Sequence, residues 1–95
     1  MIAEIDGKLI KTEVDFHEQI SKTLDFSSYY GANLDALWDI LSSDIERPVK
    51  LIWRNSEISK MAMPLDFQKI TDLLKKVVAQ DISFGWDDRF EIELN

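Results

Sequence analysis

NLDALWDILSSDIERPVKLIW, residues 33–53, changes its hydrophobic period once, and that change sets the fold class. Leu34, Leu37 and Leu41 recur at spacings of three and four behind Asn33, whose side-chain oxygen suits a helix cap, so a helix is predicted from Leu34 to about Ser43. Pro48 breaks it. Val49 to Trp53 is short, apolar and rich in β-branched residues, as a buried strand is.

The same alternation of elements continues on both sides. Met1 to Ile5 reads as a strand closed by Asp6-Gly7, and Thr12 with Asp15 resembles a capping box ahead of Phe16, Ile20 and Leu24, giving a helix from about Glu13 to Leu24. After Trp53, Asn55 or Ser56 caps a short helix ending near Met63. Pro64 then opens a helix striped by Phe67, Ile70, Leu74, Val77 and Val78 and reaching about Gln80. Ile82 to Arg89 either begins the last strand early or forms a loop with a half-buried tryptophan, and Phe90 to Leu94 is the last strand. Strands separated by helices need crossover connections, so the expected class is α/β, a small parallel sheet packed with helices in a single domain over residues 1–95.

Charge narrows the function. The net charge of −7 disfavours nucleic acid and anionic lipid and favours a cationic partner. Residues 1–46 hold 10 acids and 3 bases, 47–80 hold 3 and 7, and 81–95 hold 5 and 1. Between Tyr29 and Glu46 there are four acids and no base, which is either a solvated face or a surface for a positive ligand. The chain has no cysteine, no leader-like start and no apolar run long enough to span a membrane, so a cytoplasmic location is expected.

Helical spacing puts Asp35 and Asp39 one turn apart, on the side of Trp38 and Ser42, while the leucines turn inward. Such a like-charged pair costs a helix about 0.2–0.5 kcal/mol. Asp35 recovers part of this from the helix dipole, and Asp39 lies too far along to do so. Tyr29 and Tyr30 precede the helix, either as boundary aromatics or as the residue type that anchors an interface at little entropic cost.

Residues Tyr29-Tyr30-Gly31-Ala32-Asn33-Leu34-Asp35-Ala36-Leu37-Trp38-Asp39-Ile40-Leu41 resemble the signature segment of the barstar family, intracellular inhibitors of barnase-like ribonucleases. Trp-Arg and Ser-Lys within residues 51–60, and Asp15-Phe16-His17, extend the resemblance. It implies a three-stranded parallel sheet with about four helices and a one-to-one complex with a ribonuclease or ribonuclease toxin. It further implies that Asp39 enters the enzyme's phosphate site, that Asp35 pairs with neighbouring bases and that Tyr29 covers the catalytic histidine. Tyr30, Gly31, Asn33, Leu34 and Trp38 would shape the surrounding contact. Three departures stand out. Lys75 or Lys76 replaces an acidic group, Ser42-Ser43-Asp44 lacks a bulkier aromatic, and Ile82 to Asn95 carries an additional Trp86-Asp87-Asp88.

The inventory argues against an enzyme. His17 is the only histidine and sits on an amphipathic helix, where a structural role is expected. Gly7, Gly31 and Gly85 are too scattered for a phosphate loop, and Asp87, Asp88, Glu91 and Glu93 lack the ligand spacing of a calcium loop, so no cofactor or metal is expected. The competing reading is an acidic interaction module, or an immunity protein for a toxin that is not a barnase-like ribonuclease.

Overall fold

The computed structural model describes all of residues 1–95. Three strands, β1 (Ile2–Asp6), β2 (Val49–Arg54) and β3 (Phe90–Leu94), alternate with four helices, α1 (Glu13–Thr23), α2 (Leu34–Asp39), α3 (Ser56–Ala62) and α4 (Pro64–Ser83). The sheet order is β1-β2-β3 and both pairings are parallel, with Leu51 opposite Ala3 on one side and Ile92 on the other. The barstar-like α/β architecture expected from the sequence is therefore present.

Alternation along the strands separates two faces. Ala3, Ile5, Val49, Leu51, Trp53 and Phe90 point into the core, where Trp53 stacks on Phe16 of α1 at 5.2 Å and meets Phe67 of α4 at 5.1 Å. The opposite face carries the ion pairs Glu4–Arg54 and Lys50–Glu93 between strands. Parallel sheets are usually covered on both faces, and β2 was read as wholly buried. Here its other face, with Lys50 and Ile52, is only half-buried, because cross-strand charges cover it instead of helices.

Local chemistry sets the helix ends. Thr12 Oγ1 accepts from the Asp15 amide at 3.1 Å, and the Asp15 carboxylate reaches back to the Lys11 amide at 3.0 Å, one residue earlier than in a standard capping box. Asn55 occupies the cap position of α3 with a left-handed φ of 53° and makes no side-chain cap bond; its amide donates to Asp6 instead. Beside it, a Cβ on Gly7 would stand 2.0 Å from the Asn55 carbonyl oxygen, so only glycine permits this contact between the strand ends.

α4 runs one turn past its expected end. The Gly85 amide bonds to the Ile82 carbonyl at 3.0 Å and the Trp86 amide to the Asp81 carbonyl at 3.3 Å, with Gly85 at φ 72°. This is a Schellman stop, for which Gly85 supplies the left-handed residue. Of the two expectations for residues 82–89, the loop is the one observed beyond Ser83, but its tryptophan is exposed rather than half-buried, because the Schellman turn carries it away from the core.

Candidate functional site

Asn33 caps α2 as its composition predicts, its side-chain oxygen accepting from the Ala36 amide at 2.8 Å. Leu37 and Leu41 are fully buried, which turns Asp35 and Asp39 outward. Both carboxylates are exposed, and neither takes part in any of the four ion pairs of the chain.

The helix departs from expectation at Ile40. A continuous α-helix to Ser43 was predicted; instead residues Ile40–Asp44 form a π turn, closed by the Ile45 amide on the Ile40 carbonyl at 3.0 Å. The carbonyls at its end are satisfied sideways. Ser43 Oγ donates to the Asp39 carbonyl at 2.7 Å, and Arg47 donates to the carbonyls of Leu41 at 2.6 Å and Ile45 at 2.8 Å. A π turn holds more residues than an α turn, so Asp44 comes round to the side of Asp39. Ser42, expected beside the aspartates, is half-buried and lines neither concavity described next.

Two concavities flank α2. The first, about 530 Å³, brings Tyr29, Tyr30, Gly31 and Asp39 together with Asp25, Asp44 and Glu46, over apolar walls from Phe26, Ile40 and Ile45. Its lining has four acids and no base. The second, about 640 Å³, lies between α2 and α4, where Leu34, Asp35, Trp38 and Asp39 face Lys69, Asp72, Leu73 and Lys76. Asp39 lines both and so forms the ridge between them. Asn33 lines neither, and its side chain is committed to the cap. Of Lys75 and Lys76, the alternatives for the position where the family resemblance implies an acidic group, Lys76 is the one that lines this groove with the aspartates.

The two tyrosines have opposite settings. Tyr29 is 94% exposed, and its ring stands free beside the acidic cleft. Tyr30 packs edge-on against Phe26 at 4.9 Å, and its hydroxyl lies 2.5 Å from Nδ1 of His17. His17 Nε2 in turn lies 3.0 Å from the Glu13 carboxylate. A carboxylate only accepts, so Nε2 carries the hydrogen toward Glu13, while Nδ1 and the Tyr30 hydroxyl share the other bond. Burial, and secondarily the charge of Glu13, raises the Tyr30 pKa well above its ordinary value. His17 is 2% exposed with both nitrogens engaged, so it is a structural residue of α1.

The sequence marks Asp44 and Glu46 only as part of the acid run from Tyr29 to Glu46, and it identifies neither Asp25 as a cleft residue nor the Arg47–Asp81 ion pair as such. Asp81 is fully buried and accepts two bonds from Arg47, at 2.9 and 3.0 Å, and one from the Phe90 amide at 2.7 Å. A signal existed, because an aspartate in the last turn of a helix opposes the dipole and needs a partner.

No helix is long and apolar enough to cross a membrane, and no cluster of three or more potential metal ligands is present. A protein of Bacillus subtilis (strain 168) described as "Putative ribonuclease inhibitor YrdF" is 42% identical over 55 residues, which cover 58% of this chain and 60% of that protein. The alignment thus spans less than two thirds of that relative. The family model described as Barstar (barnase inhibitor) matches residues 1–93, and the chain belongs to that family.

Proposed function

We propose that this chain inhibits a small basic ribonuclease by laying the Asp39 ridge into the enzyme's active site in a one-to-one complex. The observation that carries the reading is that Asp35 and Asp39 stand one turn apart, exposed and unpaired, in a protein with unattached bases of its own nearby. A cation held about 4 Å from such a carboxylate gains about 4 kcal/mol at an effective dielectric near 20, before desolvation is subtracted. That exceeds the repulsion of about 0.2–0.5 kcal/mol within the helix.

In this reading Asp39 takes the place of an RNA phosphate. Asp35 pairs with a neighbouring base of the enzyme, Tyr29 covers the catalytic groups, and Tyr30, Gly31, Leu34 and Trp38 set the surrounding shape. The acidic cleft receives cationic side chains, and the lysine-bearing groove meets a less basic part of the target. The chain performs no chemistry itself, needs no cofactor and works in the cytoplasm.

An RNA cleavage assay with barnase as the probe enzyme tests this. The native chain is expected to abolish cleavage at equimolar amounts, and Asp39→Ala and Asp35→Ala to relieve inhibition. The association rate should fall steeply as salt rises, because exposed charges are screened within about 8 Å at physiological ionic strength. Inhibition unchanged by both substitutions would assign the helix another role.

A further inference from the structure

The Schellman turn that ends α4 carries an aromatic pair that the core does not use. Phe84 is 55% and Trp86 41% exposed, with ring centroids 5.2 Å apart. Asp87 and Asp88 follow and are exposed. The turn has defined geometry, since its two capping bonds and the left-handed Gly85 fix the backbone, and the Arg47 guanidinium lies 5.4 Å from the Trp86 ring centroid.

Its position relative to the acidic cleft follows from Arg47. That guanidinium bonds to the Leu41 and Ile45 carbonyls at the end of α2, and Ile45 and Glu46 form part of the cleft wall. The aromatic tip is therefore one side chain, that of Arg47, away from the residues of the cleft wall. Its chemistry also matches. Aromatic faces beside two carboxylates suit a guanidinium, which stacks on the rings and pairs with the acids. A rigid, already exposed aromatic loses little entropy on contact.

We infer that the Phe84–Trp86 tip, with Asp87 and Asp88, is a second contact with the same ribonuclease and takes an arginine-bearing patch on the rim of its basic cleft. This rests on the inhibitory reading above.

The test compares the native chain, the double variant Phe84→Ser/Trp86→Ser and Asp39→Ala against barnase, by binding kinetics and by amide exchange of the native complex. The tip contact predicts a dissociation rate raised about ten-fold in the double variant, with association within about two-fold of native. It also predicts protection of amides 84–89 in the complex. Thermal unfolding of the free variant checks its fold. Should it be destabilised, Phe84→Ser alone, which leaves the Arg47–Trp86 contact in place, gives the same readout. Native rates in the variant, with amides 84–89 exchanging as in the free chain, would overturn the inference while the inhibitory helix stands. A native chain that does not bind barnase, whatever stands at position 39, overturns the inhibitory reading and this inference with it. A chain that dimerises alone, and becomes monomeric in the double variant, would assign the tip to self-association and overturn it too.

Discussion

Arg47 and Asp81, 34 residues apart in sequence, join the end of α2 to the end of α4 through two hydrogen bonds of 2.9 and 3.0 Å in the interior. The same guanidinium holds two carbonyls of the π turn, and the same carboxylate holds the first amide of β3. One ion pair thereby fixes the rear of the acidic helix, the last strand and the loop that carries Trp86.

Breaking the pair should be costly. Arg47→Met retains the stem but leaves a buried carboxylate without its cation, a change that costs about 3–5 kcal/mol. Chemical denaturation measures it directly. A loss under about 1 kcal/mol would mean that Asp81 finds water once Arg47 is gone.

The pair also sets an acid limit. Burial acts to raise the Asp81 pKa, yet the bonds from Arg47 and the Phe90 amide outweigh it and leave the carboxyl below its ordinary value of 3.8. A depressed folded pKa means that the stabilisation is complete above the unfolded value and is lost as pH falls through the folded one. Unfolding free energy should therefore show no loss from this group near neutrality and should fall below about pH 4. In Asp81→Asn the acid slope should become shallower, with a residue left by Glu4, Asp6 and Glu93, whose pKa values are also lowered by surface partners. A slope identical to that of the native chain would show that Asp81 is not the group being protonated.

These features divide cleanly into what local sequence reveals and what it does not. Asn33, the leucine spacing and Pro48 disclose α2 and β2 because caps and periods are set by neighbours along the chain. The π turn depends on Arg47 capturing the Leu41 and Ile45 carbonyls, and Arg47 is held by a residue on another helix, so no local pattern encodes it. Asp39 and Tyr29 were legible as candidates because they break a local expectation, an unrelieved charge and an aromatic outside any stripe. Asp44 and Glu46 were visible only as members of the acid run between Tyr29 and Glu46, Asp25 lies outside it, and only the folded chain brings the three to one cleft. Gly85 stops α4 in the left-handed conformation, whereas the sequence expectation ended the helix near Gln80 and did not use this glycine.

Asp39 should be dispensable for folding. Its carboxylate is exposed and unpaired, and Asp39→Ala removes repulsion from Asp35 worth about 0.2–0.5 kcal/mol while adding a better helix former. The thermal midpoint should stay level or rise by a few degrees. A marked fall would reveal that the carboxylate supports the fold.

Tyr29 and Tyr30, adjacent in sequence, should separate binding from stability. Tyr30→Phe keeps the ring against Phe26 but deprives His17 Nδ1 of its hydrogen-bond partner inside the protein, which costs about 1–3 kcal/mol. Tyr29→Ala removes a ring that is 94% exposed and should change stability by less than about 0.5 kcal/mol. Their effects on inhibition should run the other way, with Tyr29→Ala weakening the complex through a lost contact and Tyr30→Phe acting only as far as the turn before Asn33 loosens. Paired measurement of denaturation midpoint and inhibition checks both. Equal stability losses in the two variants would mean that Tyr29 packs in solution, and an unimpaired Tyr29→Ala complex would remove that ring from the proposed contact.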